Sequence, residues 1–223
     1  MCIKLSQTPL FRGIEEQEIT PLLGCLGAAE KNYMKGETIL SEGETTEQMG
    51  VVLSGRVLIE CRDVWGNNSI LGSAGPGAVF GEAYACVPKE PLLISASAAE
   101  DTRVLFVSVG RMLSHCQGTC PYYTVLVSNL LTVCANRSLE LSRRILHTTS
   151  KTIRGRLQSY FSQCVKQAGS FEFEVPFNRQ QLADYLSVDR SAMCAELSKM
   201  QKDGLIRYEK NHFAVRPEMA EEV

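Results

Sequence analysis

Between Gly36 and Gly81 short apolar runs, Thr38-Ile39-Leu40, Gly50-Val51-Val52-Leu53 and Arg56-Val57-Leu58-Ile59, alternate with glycines at 36, 43, 50, 55, 66, 72, 75, 77 and 81. Runs this short, punctuated by glycine, predict strands joined by tight turns. Residues 92–98 and 102–107 add two further strands on either side of the polar Glu100-Asp101 turn, and together the set predicts an antiparallel β-roll or jelly-roll barrel. After Pro121 the spacing changes. Tyr123, Val127, Leu130, Cys134 and Leu141 step as a heptad seam, interrupted at Arg137, on a helix predicted to run to His147 and to extend about 40 Å. An apolar stripe of that length needs a partner: its own barrel, or a second copy of the chain across a two-fold axis, the commoner arrangement.

Thr148-Thr149-Ser150-Lys151 predicts a hinge and helix cap, after which Ile153, Leu157, Tyr160, Phe161 and Val165 resume helical spacing up to Gly169-Ser170. An extended segment, 171–176, follows. Asn178 then caps a short helix 179–186 with Leu182, Ala183 and Leu186 on one face. Ser187-Val188-Asp189-Arg190 turns, and Asp189 caps a second helix to Lys202 with Met193, Leu197 and Met200 inward. This is helix-turn-helix spacing. Residues 205–208 and 212–215 predict a wing hairpin across Glu209-Lys210-Asn211. The fold class is α+β: a β-roll sensor domain 1–120, a long dimerisation helix 121–147, and a winged helix-turn-helix domain 148–223.

Hydrophobic residues are 44% and charged residues 22% of the 223, an ordinary globular balance. No apolar run reaches the roughly 20 residues of a membrane span, and residues 1–7 lack the pattern of a secretion signal. Nine cysteines scattered without a CxxC pair fit a reducing compartment, and a cytoplasmic protein is expected. Net charge is −2, but unevenly placed. Residues 1–149 carry 12 Lys and Arg against 15 Asp and Glu, whereas residues 150–216 carry 11 against 7. The basic end coincides with the helix-turn-helix. A helix entering a major groove presents a few side chains near its N-terminus to base edges, flanked by cations on phosphate. Arg190, Ser191, Cys194 and Ala195 are the candidate base readers. Arg179, Lys199, Lys202, Arg207 and Lys210 are the candidate phosphate contacts. The alternative is a solvated helix pair whose charges only keep it soluble.

Three motifs in order, Lys35-Gly36-Glu37-Thr38-Ile39 with Leu53-Ser54-Gly55-Arg56-Val57, then Gly77-Ala78-Val79-Phe80-Gly81-Glu82, then 177–186 with Arg190-Ser191-Ala192-Met193, make the chain resemble the CRP/FNR family of bacterial transcription regulators. The resemblance implies an effector-responsive homodimer that binds two-fold-symmetric promoter sites on double-stranded DNA, with RNA polymerase as a further partner, no membrane and no enzymatic activity. In the family's cyclic-nucleotide members the glutamate matching Glu82 holds the ribose and an arginine holds the phosphate; here that arginine position is Leu92. A buried cyclic phosphate would lack its charge partner, which argues against cyclic AMP. Only Cys2 and Cys25 precede residue 60, against an iron-sulfur cluster. His115, Cys116 and Cys120 lack a fourth ligand, against metal or haem. The effector pocket is expected from Glu82, Tyr84, Leu92, Ile94, Ser95 and Ser97, with Thr124, Ser128, Asn129 and Thr132 of the long helix, for an unknown and in part apolar small molecule. Ala195 stands where many relatives carry a second arginine, so it offers a thymine methyl contact rather than a guanine fork. His147 and His212 read as surface histidines. The competing reading is a ligand-sensing regulatory subunit whose winged helix docks a protein.

Overall fold

The computed structural model describes residues 3–62, 68–87, 89–114 and 120–216. The chain divides into two compact units, Met1–Arg137 and Ser138–Val223.

The first unit opens with a 3-10 turn at Leu5–Gln7 and helix α1, Glu16–Cys25. Strands β1 (Ala29–Tyr33), β2 (Thr38–Leu40), β3 (Gln48–Ser54), β4 (Val57–Arg62), β5 (Asn68–Ala74) and β6 (Val79–Phe80) follow, then helix α2 (Glu82–Cys86), strands β7 (Ser95–Ala98) and β8 (Thr102–Ser108), and helix α3 (Val109–Ser114). The long helix α4, Tyr123–Thr148, completes the series. All strand pairs are antiparallel and form two four-stranded sheets, ordered β1-β8-β3-β6 and β2-β7-β4-β5.

The central strands β3 and β8 of the first sheet are buried on both faces, which is why β3 reads as an unbroken apolar run rather than an alternating one. Met49, Val51 and Leu53 with Leu105 and Val107 pack against α1, α3 and the start of α4. Val52, Val104 and Phe106 pack the other way, with Leu40, Val57, Phe80, Leu92 and Ala96, to fill the space between the sheets. Gly50 sits inside β3, not in a turn, because a Cβ there would collide with the Phe80 ring. The strand expected at 92–98 starts only at Ser95. Leu92 instead exchanges backbone hydrogen bonds with the 43–44 loop.

The heptad seam needs correction. Leu130 is only 5% exposed, and Tyr123 and Cys134 pack on their own unit's core, so most of the predicted stripe faces the β-roll. Leu131, about 100° further round the helix, is 69% exposed, and Leu139, Leu141, Ile145 and Leu146 are exposed with it.

The second unit holds α5 (Ile153–Ala168), β9 (Glu172–Glu174), α6 (Arg179–Leu186), α7 (Arg190–Lys202), β10 (Ile206–Glu209) and β11 (His212–Val215), with sheet order β10-β11-β9. Leu157, Tyr160, Phe161, Leu182, Leu186, Met193, Leu197, Met200 and Phe213 form one core. Among the described residues no helix is long and apolar enough to cross a membrane.

Candidate nucleic-acid interface

The helix pair α6 and α7 is set by local capping. Asn178 Oδ1 accepts from the Gln181 N–H while Gln181 Oε1 accepts from the Asn178 N–H, a reciprocal capping box that satisfies two otherwise orphaned donors. Asp189 accepts from the Ala192 N–H at 2.8 Å and starts α7; the Ser191 hydroxyl and then this backbone bond hold its carboxyl below the usual carboxylate range. Between the helices Ser187 adopts left-handed geometry at φ 53°, a conformation more often taken by glycine.

The end of α6 is closed by two arginines that the periodicity gave no reason to single out. Arg144, in the last turns of α4, donates to the carbonyls of Asp184 and Tyr185. Arg156 of α5 donates to those of Leu186 and Ser187 and to Ser150. Cations on the final carbonyls of a helix satisfy both the orphan acceptors and the negative end of its dipole. Arg154 pairs with Glu196 of α7 and with Asp203 at its C-cap, fixing the second helix to α5.

On α7 Arg190, Ser191, Ala195 and Ser198 are exposed and Cys194 is half-buried, so the face opposite Met193, Leu197 and Met200 is open. The Ser191 hydroxyl donates to Asp189 at 2.5 Å, leaving that oxygen as an acceptor. Arg190 is the cation of this face at the helix N-terminus. Lys199, Lys202, Arg207 and Lys210 are all exposed, the last at the tip of the β10–β11 turn. Arg179 differs. Its guanidinium lies 5.0 Å from the ring centroids of both Tyr208 and Phe213, donates to the Lys210 carbonyl, and keeps Nη1 enclosed without a hydrogen-bond partner. A cleft of about 520 Å³ beside the wing mixes Arg207 and His212 with Glu172 and Glu209, which dilutes any anion preference there.

The candidate effector residues separate. Tyr84, Leu92 and Ile94 belong to the cluster between the sheets, where Leu92 is fully enclosed and brings no charge. Glu82 is buried at the start of α2, behind Gly81 in left-handed geometry. The Tyr84 hydroxyl accepts from the Leu93 N–H, Ser95 Oγ from the Glu42 N–H, and Ser97 donates to Glu60 at 2.7 Å. From α4, Asn129 donates to the carbonyls of Leu10 and Arg12 and so fastens the N-terminal segment. Thr132 donates to the Ser128 carbonyl, and Thr124, Ser128 and Thr132 are exposed. His115, Cys116 and Cys2 lie outside the described residues.

His147 is not a surface histidine. It is 3% exposed, with Nδ1 2.9 Å from Ser159 Oγ and Nε2 2.5 Å from Gln163 Oε1, between the rings of Tyr160 and Tyr185. Burial pushes its pKa below the ordinary 6.5, and the Gln163 bond opposes that only in part.

Two family models match the chain, a cyclic nucleotide-binding domain over residues 30–118 and a Crp-like helix-turn-helix domain over residues 155–218. This chain belongs to the CRP/FNR family of transcription regulators. Its CRP/FNR relatives include a CRP-like cAMP-activated global transcriptional regulator of Mycobacterium tuberculosis, 23% identical over 92% of this chain and 91% of that protein. The catabolite activator protein of Thermus thermophilus shares the fold at a TM-score of 0.52, with 23% identity over 96% of this chain and 98% of that one. CprK complexed with OCPA superposes at 0.70 with 15% identity over 91% and 93% of the two chains. Leu92, which the family resemblance leads us to expect at the phosphate-binding position, is enclosed between the sheets and brings no charge there.

Proposed function

We propose that this regulator acts as a homodimer on two-fold-symmetric promoter sites in the cytoplasm and answers an effector other than cyclic AMP. The carrying observation is the open N-terminal face of α7, held rigidly by the Asp189 cap and the Arg154 pairs and carrying Arg190 where a major groove would receive it. Arg190 reads a base, with Ser191, Cys194 and Ala195 lining the same groove. Lys199, Lys202, Arg207 and Lys210 neutralise phosphates around it. The exposed side of α4 supports pairing with a second copy. Leu131, Ser138 and Ile145 recur every seven residues, and Thr132, Leu139 and Leu146 form a parallel row beside them.

Selection of genomic fragments by the purified protein, with and without cell extract as an effector source, tests this reading. An enriched two-fold-symmetric site is expected. Arg190→Ala is expected to lose about 1–3 kcal/mol on that site and to relax preference at one base position in each half. No enrichment in either condition would return the winged helix to a protein-docking role.

A further inference from the structure

The last turns of α4, from Ser138 onward, belong to the same compact unit as the helix-turn-helix. Within them four consecutive residues, Arg144, Ile145, Leu146 and His147, divide between two faces. Ile145 and Leu146 are exposed and close the rows along which α4 is proposed to pair with a second copy. His147 is enclosed against Ser159 and Gln163 of α5. Arg144 donates through Nε to the Tyr185 carbonyl at 3.1 Å and through Nη2 to the Asp184 carbonyl at 2.9 Å, with its guanidinium 5.9 Å from the Tyr185 ring centroid. At about 100° per residue, the pair 144 and 147 and the pair 145 and 146 point to opposite sides of the helix. We propose that Arg144 is a positioning residue for DNA binding: it ties the end of α6 to the turn of α4 that pairs the two chains, and so sets the separation and angle of the two recognition helices.

A guanidinium suits this task because its planar fork makes two bonds in fixed directions, which holds an angle as well as a distance. The carbonyls it takes lie in the last turn of α6, where a helix runs short of its own donors. Only residues 187–189 separate that turn from α7, so an anchor there fixes the start of the recognition helix. The neighbouring arginines act differently. Arg156 and Arg154 both rise from α5, the first holding the carbonyls of Leu186 and Ser187 and the second Glu196 and Asp203. Those bonds order the helix pair within its own domain. Arg144 belongs to α4 itself, so its loss leaves the helix pair assembled and loosens its attachment to the paired helices.

The inference rests on the dimer reading, and the test separates the two. Full-length wild type and Arg144→Gln are titrated, under the condition that selected the site, against three duplexes. These are the two-fold site, the same duplex with one half scrambled, and the two-fold site with one base pair inserted between its halves, which turns one half by about 35° against the other. Arg144→Gln is expected to bind the two-fold site about tenfold more weakly than wild type while matching it on the single half, because only joint engagement depends on a preset separation. The insertion is expected to cost the wild type about fivefold more than it costs the variant. Arg144→Lys keeps the charge without the fork and is expected to fall between the two; it takes the place of Arg144→Gln should that variant not fold. Equal losses on the two-fold site and the single half would make Arg144 a local support of the fold, and an unchanged response to the insertion would mean that the separation is set elsewhere. Either result overturns the inference while the dimer stands. A wild type that binds the two-fold site no more tightly than the single half removes the dimer, and the inference with it.

Discussion

Arg179 and Lys202 carry the same charge in different environments, the first half-buried and the second exposed. Arg179 covers Tyr208 and Phe213 and donates into the wing turn, whereas Lys202 projects from the last turn of α7. A guanidinium held over two rings stabilises the wing by cation–π attraction. Arg179→Met is therefore expected to lower unfolding stability by about 1 kcal/mol while leaving the salt dependence of DNA binding unchanged. Lys202→Met is expected to leave stability nearly unchanged and to reduce the slope of log affinity against log salt by about 0.9. Binding titrations from low to moderate salt with both variants check the assignment; a reduced slope for Arg179→Met would place its charge on phosphate.

At the scale of elements, the join between α4 and α5 holds one buried titratable group against the end of a helix. His147 ends α4 against Ser159, Tyr160 and Gln163 of α5 and Tyr185 of α6, and Arg144 lies over the Tyr185 ring. The neutral imidazole donates from Nε2 to Gln163 and accepts from Ser159, so both nitrogens are satisfied without a charge. Protonation would add a cation beside Arg144 and remove the acceptor at Nδ1. The lowered pKa means that the unfolded imidazole takes up its proton first as pH falls. The stabilisation is complete above pH 6.5 and is lost progressively as the pH drops toward the folded value. Denaturant unfolding between about pH 5.5 and 7.5, the range over which an imidazole titrates, is expected to show this loss in the wild type and a smaller one in His147→Gln. Equal pH dependence in the two proteins would sink the assignment. The same join carries the Arg144 and Arg156 clamps on α6, so the last turn of α4 and the first helix of the helix-turn-helix are held by the same contacts.

For the molecule as a whole, the proposed dimer rests on the exposed rows of α4. A helix with Leu131 and Ile145 on one row and Leu139 and Leu146 on the next leaves large apolar side chains in water unless a second copy covers them. The proposed dimer is expected to sediment as such, and the double variant Leu131→Glu with Ile145→Glu as a monomer. That variant should keep its folded signature, because neither side chain belongs to a core. Loss of tight binding to a two-fold site should accompany dissociation, since two half-sites are then met by separate chains. A wild type that sediments as a monomer would remove the dimer.

What could be read from the sequence was whatever depends on neighbours in the chain. Asn178 and Asp189 start α6 and α7 because their side chains bond the backbone a few residues on, and Gly169 ends α5 because it takes left-handed geometry without a Cβ clash. The strand runs of the β-roll were legible for the same reason, as short apolar stretches bounded by turn residues. The family motifs added the order of these parts. Tertiary structure decided the rest. Which stripe of α4 is covered depends on the core formed by β3, β8 and α1, so Leu130 and Leu131 look alike in sequence and have opposite fates. Gly50 looks like a turn residue until Phe80 is placed against it. The sequence offers Asn129 as a pocket residue, and only the fold shows its amide donating to the carbonyls of Leu10 and Arg12. Arg144 and Asp184, and His147 and Gln163, are brought together only by packing, and burial then sets the chemistry of the imidazole.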